Sequence, residues 1–203
     1  MEKQQRASIS KKVIIYDRNR LLDKSFRVDE VKISYERFDG NMSIPVTRLS
    51  FERGDSVAAI VFNRDTQSII LCNQFRYPTY EKGPGWITEA VAGILEGGEN
   101  AEDAVRREVL EEIGYKIETV EPIAKFYVSP GGTSERILLY YAEVVDAGKV
   151  GPGGGKPEEN EDISIQAFPV QELDNLIADS RIQDAKTLIG LLWLQRRISR
   201  AFR

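Results

Sequence analysis

Glu108, Glu111 and Glu112 stand at i, i+3 and i+4 in the stretch from Arg107 to Tyr115, and that spacing constrains this chain more than any other feature. On a helix the three side chains share one face and lie close together. Like charges so placed cost roughly 0.2–0.5 kcal/mol per pair unless a cation sits among them, and an ordinary surface helix would intersperse lysines. Val105, Val109 and Ile113 form an apolar stripe along the same segment. Asn100 followed by Asp103 supplies an N-cap signal, and Gly114 suits the position just past the helix end. The segment is therefore predicted to be a short helix with one face toward a core and one face of carboxylates. Hard divalent cations such as Mg²⁺ take carboxylate oxygens and then recruit phosphate.

The rest of the chain bounds the chemistry by what it lacks. Histidine is absent, which excludes a Ser-His-Asp triad, a Cys-His pair and histidine-ligated zinc. Any general base is then Asp, Glu, Lys, Tyr or a metal-bound hydroxide. The single cysteine, Cys72, lies in an apolar run and reads as a small core residue. One thiol permits no internal disulfide, which points to a reducing compartment, and the cytoplasm is the expected location. The opening residues lead into no apolar stretch, so no signal peptide is expected, and no run approaches a membrane span. The net charge of −4 offers no global field to a nucleic acid, so neither a nucleic-acid nor a membrane partner is expected.

A length of 203 residues allows one domain of ordinary size with a small appended piece. Residues 12–52 read as β-rich. Val31, Ile33 and Tyr35 alternate with Lys32, Ser34 and Glu36, Asp39-Gly40 signals a hairpin, and Ile44 to Phe51 is the returning strand. This meander is too small to bury a core alone and must pack on the main domain or on a second subunit. Strands are then predicted over Val57 to Phe62, Ile69 to Phe75, Trp86 to Ala92, Ile123 to Val128, Ile137 to Val145 and Ile163 to Phe168. Helices are predicted near 170–179 and 184–198. Trp86, Phe126 and Tyr127 read as core. Between Ala147 and Asp162 the chain holds five glycines and two prolines, ending in acidic residues. Strands with helices on their faces predict an α/β sandwich.

The segment Gly93 to Tyr115 resembles the Nudix box, G-x5-E-x7-R-E-U-x-E-E-x-G-U with U apolar. Every fixed position is met, by Gly93, Glu99, Arg107, Glu108, Glu111, Glu112 and Gly114, and Tyr115 fills the last slot. Asn73-Gln-Phe-Arg76, Ser129-Pro-Gly-Gly132 and Glu159-Asn-Glu-Asp-Ile163 resemble the subgroup acting on nucleoside diphosphate sugars, which includes ADP-ribose and GDP-mannose pyrophosphatases. The resemblance implies a Nudix-type α/β/α sandwich with a mixed sheet over residues 53–203. It implies that the antiparallel meander of residues 1–52 exchanges with a partner in a homodimer.

It also implies Mg²⁺, with Mn²⁺ as a substitute, held by Glu108, Glu112 and the carbonyl of Ala92. Glu111 is a further or outer ligand with a catalytic part. Glu161 is the candidate general base or third carboxylate, swung over the metals by the glycines before it, and Glu159 is its runner-up. Arg107 orients a glutamate, and Glu99, Gly93 and Gly114 shape the motif. Arg76, Glu135, Arg48 and Lys186 correspond to substrate contacts. Lys186 resembles the GDP-mannose branch and Ser134-Glu-Arg136 the ADP-ribose branch, so the sugar stays open. The rival readings are a nucleoside triphosphatase or dinucleoside polyphosphate hydrolase, and a sugar-nucleotide sensor without turnover.

Overall fold

The computed structural model describes residues 11–201, which fall into two compact units. The first holds the chain up to Arg53 together with Ser129–Glu135. Its strands β1 (Val13–Asp23), β2 (Arg27–Tyr35) and β3 (Val46–Glu52) form an antiparallel sheet in that order. The returning strand begins at Val46 rather than Ile44, because Pro45 has no amide to give to a ladder. Alternation along β2 fails at its end, where Ser34 is buried and Tyr35 exposed. Tyr16 is the extra residue of a bulge in β1, and its hydroxyl lies 3.2 Å from Ser34 Oγ. The stretch 129–135 zips onto β3. The Phe51 amide donates to the Gly132 carbonyl at 2.9 Å, and the Ser134 amide returns to the Phe51 carbonyl at 3.2 Å.

The second unit is built on a seven-stranded mixed sheet. Its strands are β4 (Ser56–Asn63), β5 (Ser68–Phe75), β6 (Trp86–Glu89), β7 (Val91–Ile94), β8 (Glu121–Tyr127), β9 (Arg136–Val144) and β10 (Ser164–Pro169). The helices are α1 (Tyr77–Tyr80), α2 (Ala101–Ile113), α3 (Leu173–Ala178) and α4 (Ala185–Ala201). The main path runs β10-β5-β4-β9-β8, with β6 on β5 and β7 on β4. Only β4 and β9 run parallel.

Period-two alternation on β4 explains the layers. Val57, Ala59 and Val61 pack with Val105, Val109 and Ile113 of α2. Ile60, between them, packs with Leu191 and Leu194 of α4 and Leu176 of α3. Both faces are covered, so β4 is buried almost throughout, and the result is the expected α/β/α sandwich. Gly190 lets α4 settle on the sheet, since a Cβ there would collide with Ile60.

Two expectations are corrected here. The strand predicted over 86–92 breaks at Ala90, whose amide donates to Thr187 Oγ1 at 2.7 Å, and the chain passes from β5 to β4 at that break. Trp86 and Tyr127 are exposed rather than core, each at the end of a short strand, with the Trp86 ring against Phe75 at 5.1 Å.

Candidate active site

Helix α2 starts where the Asn100 side chain accepts the Glu102 amide at 2.9 Å. It ends where Gly114 turns left-handed at φ 76°. A side chain at Gly114 would run into the backbone of Gly151 and Gly153, because the glycine-rich stretch wraps over the helix end. The amides of Val150 and Gly151 donate to the Gly114 carbonyl, Gly154 to that of Glu112 at 2.8 Å, and Gly155 to that of Glu111 at 3.2 Å. These bonds satisfy carbonyls that a helix end otherwise leaves open. In this structure the glycines cap α2.

The carboxylates of α2 divide by burial. Glu112 is buried, and its Oε2 lies 3.4 Å from Cys72 Sγ and 3.3 Å from the amide of Ala92. Glu108 is buried beside the chain at Gly93, where any Cβ would overlap its carboxylate. Glu111 is more open. Arg107 is the cation among them. It grips both oxygens of Glu99 at 3.1 Å each, and its Nη1 reaches Glu108 at 2.6 Å and Glu111 at 3.2 Å. Arg107 in turn holds the Glu99 carboxyl below its usual range. Burial pushes Glu108 up. Burial and then the Glu108 charge push Glu112 up to about 8 from 4.5.

Glu161 closes a small loop after the cap. Its Oε2 accepts the Lys156 amide at 3.0 Å, and no other partner of its carboxylate is present among the described residues. The Lys156 ammonium bridges Glu111 at 3.1 Å and the exposed Glu159 at 3.3 Å.

A second charged cluster brings together two residues that the sequence marked separately. Glu89, at the end of β6 and 4% exposed, accepts Arg76 Nε at 2.8 Å on Oε1 and the Lys186 ammonium on Oε2. Lys186 also reaches Asp184 Oδ1 at 3.0 Å. Glu89 pairs across the ladder with Cys72, the residue whose thiol touches Glu112. Burial and the charges of Glu112 and Glu89 push that thiol well up, which leaves it an inert thiol in this site.

Arg48 and Glu135 belong to the first unit. Arg48 lies on β3 and donates to the Thr47 carbonyl at 3.0 Å. Glu135 faces Arg53 at 3.6 Å. Lys156 and Glu89 were not foreseen. Lys156 carried one usable signal, as the only basic residue between Val150 and Asp162. Glu89 carried none, in a segment read as plain strand.

Among the described residues no three acidic or thiol side chains are gathered closely enough to hold a cation by themselves. The pair Glu108–Glu112 still suits a hard cation. Both are buried carboxylates beside β7, both resist ionisation where they stand, and the backbone at Ala92–Gly93 lies against them.

Residues 52–189, more than half of the chain, match the NUDIX domain family. Over 184 residues the chain is 35% identical to an ADP-ribose pyrophosphatase of Escherichia coli strain K12, covering 90% of this chain and 88% of that protein. Over 179 residues it is 35% identical to a GDP-mannose pyrophosphatase of Cronobacter sakazakii, covering 87% and 92%. A crystal structure of an ADP compounds hydrolase superposes with a TM-score of 0.71 at 18% identity over 94% of this chain and 96% of that one, a likeness of fold.

Proposed function

The chain belongs to the NUDIX family, and on that premise we propose that it hydrolyses the diphosphate bond of a nucleoside diphosphate sugar, releasing a nucleoside monophosphate and a sugar phosphate. The observation that carries the reading is the buried Glu108–Glu112 pair against the backbone of β7, Glu108 held by Arg107 and Glu112 by the Ala92 amide. The names of the relatives support the substrate class.

Mg²⁺, or Mn²⁺ in its place, is the ion this donor set takes, with Glu108, Glu112 and the Ala92 carbonyl as its holders. Bound there, it neutralises diphosphate charge and lowers the pKa of a bound water. The protein's own groups do the rest. Arg107 fixes Glu108 and Glu111 through its shared Nη1. Glu161 takes the proton of the attacking water on Oε1, the oxygen that the Lys156 amide leaves open. Glu159 is second choice, being exposed and paired to Lys156. Arg76 offers its terminal nitrogens to phosphate.

The decisive assay is phosphate release, coupled to alkaline phosphatase, across ADP-ribose, GDP-mannose, ADP-glucose, NADH and a nucleoside triphosphate. Preference for one diphosphate sugar supports the class and names the branch. Activity on the triphosphate alone defeats it, and binding without turnover turns the protein into a sensor.

The reading extends to a cytoplasmic homodimer. In the first unit Val13 and Ile15 lie more than half exposed on the face of the three-stranded sheet that also carries the exposed Tyr35, apolar surface that a second copy would cover. Among the described residues no helix is long and apolar enough to cross a membrane. A monomeric mass by light scattering at micromolar concentration, with activity retained, rules the dimer out.

A further inference from the structure

We propose that Glu89 is a positioning residue: it holds Arg76 by Nε so that the two terminal nitrogens stand as a fixed pair of donors for a substrate phosphate, with Lys186 part of the same mount. The inference rests on the hydrolase reading for the identity of the anion.

The geometry is a chain of single-purpose contacts. Each oxygen of Glu89 serves one cation, Oε1 the Arg76 Nε and Oε2 the Lys186 ammonium. Lys186 is spent between Glu89 and Asp184, and its side chain is only 14% exposed, so little of it is left to meet a ligand. Asp184 is itself fixed, since its Oδ2 accepts the Thr187 amide at 2.9 Å and the Thr187 hydroxyl at 2.5 Å. That hydroxyl also accepts the Ala90 amide. The mount therefore spans from the break between β6 and β7 to the first turn of α4.

Arg76 is the one member that faces outward. Its side chain is 43% exposed, and among the described residues its terminal nitrogens have no partner. A guanidinium locked through Nε has lost its rotamer freedom before any ligand arrives, which leaves less to lose on binding. The mount stands beside the carboxylate site, because Glu89 pairs across the ladder with Cys72 and the Cys72 thiol touches Glu112.

The test uses the full chain with Mg²⁺. ADP affinity is measured by titration calorimetry, and turnover of ADP-ribose and GDP-mannose by phosphate release. Arg76→Lys keeps the charge but, with all its donors on one nitrogen, cannot hold Glu89 and also present a fixed planar pair of donors. Arg76→Lys and Glu89→Gln should each weaken ADP binding and raise KM by about ten- to a hundredfold, with kcat within about threefold. In an Arg76→Ala background Glu89→Gln should add nothing further. Full additivity, wild-type ADP affinity in either single variant, or no ADP binding by the wild type overturns the proposal. If Glu89→Gln does not fold, Lys186→Gln takes its place in the cycle. Its effect should vanish in the Arg76→Ala background, and additivity there marks Lys186 as a direct ligand and overturns the mount. A wild type that binds ADP but hydrolyses neither sugar nucleotide defeats the hydrolase reading, while the cycle on ADP affinity still decides the role of Glu89.

Discussion

Two charged clusters flank Cys72, and they are built to opposite rules. At α2, Glu99, Glu108 and Glu111 share Arg107 and Lys156, while the buried Glu112 has neither cation within bonding distance. Between β6 and α4, Glu89 and Asp184 are matched by Arg76 and Lys186. Burial is similar, with Glu112 and Glu89 both nearly inaccessible. The difference lies in balance. An acid excess that the fold keeps buried suits a bound cation, whereas a balanced set holds its own members in place.

The largest expected effect breaks the first cluster. Glu112→Gln, and Glu108→Gln beside it, should lower kcat by about a thousandfold or more by removing a metal oxygen. Glu112→Gln should leave the fold intact and raise the melting temperature of the metal-free protein above pH 8, where it removes a buried charge that no cation balances. Near-wild-type turnover in folded Glu112→Gln, followed by steady-state kinetics, would sink the assignment.

The pH dependence sharpens the same contrast. Glu112 has a folded pKa raised to about 8 from 4.5. The folded protein therefore binds the extra proton between those values. Its contribution to stability is complete below 4.5 and is lost as pH rises through about 8. The metal-free protein should melt several degrees lower at pH 9 than at pH 7. Mg²⁺ should flatten that slope, and Glu112→Gln should abolish it. A slope unchanged by both, read by differential scanning fluorimetry, would mean that another group carries it.

What was legible in the sequence divides along the same line. The acid face of α2 could be read because its partners are close in the chain: Asn100 caps it, Gly114 ends it, and Arg107 lies next to Glu108. The apolar run from Val57 to Phe62 likewise announced a strand. The second cluster could not be read. Glu89 meets Arg76 across 13 residues of sequence separation and Lys186 across 97, so its role exists only once β6 and α4 are packed. The capping role of the glycines after Val150 was hidden for a related reason. Glycine at positive φ serves a hinge or a tight cap equally well, and only the bonds to Glu111, Glu112 and Gly114 separate the two.

The smallest effects come from the two helix starts, which make the comparison quantitative. Asn100 caps α2 by accepting the Glu102 amide, and Asp184 does the same for α4 with the Thr187 amide. Asn100→Ala removes a cap and touches neither cluster, and should cost about 1 kcal/mol in urea unfolding. Asp184→Ala removes a cap and also one of the two carboxylates that hold Lys186. That leaves a buried cation to share Glu89 with Arg76, so the loss should exceed that of Asn100→Ala by about 1–2 kcal/mol. The sign opposes Glu112→Gln, although each change deletes an acid beside a cluster. Equal losses at the two caps would show that Lys186 gains nothing from Asp184, and the balance attributed to the second cluster would then reduce to the single pair of Glu89 with Arg76.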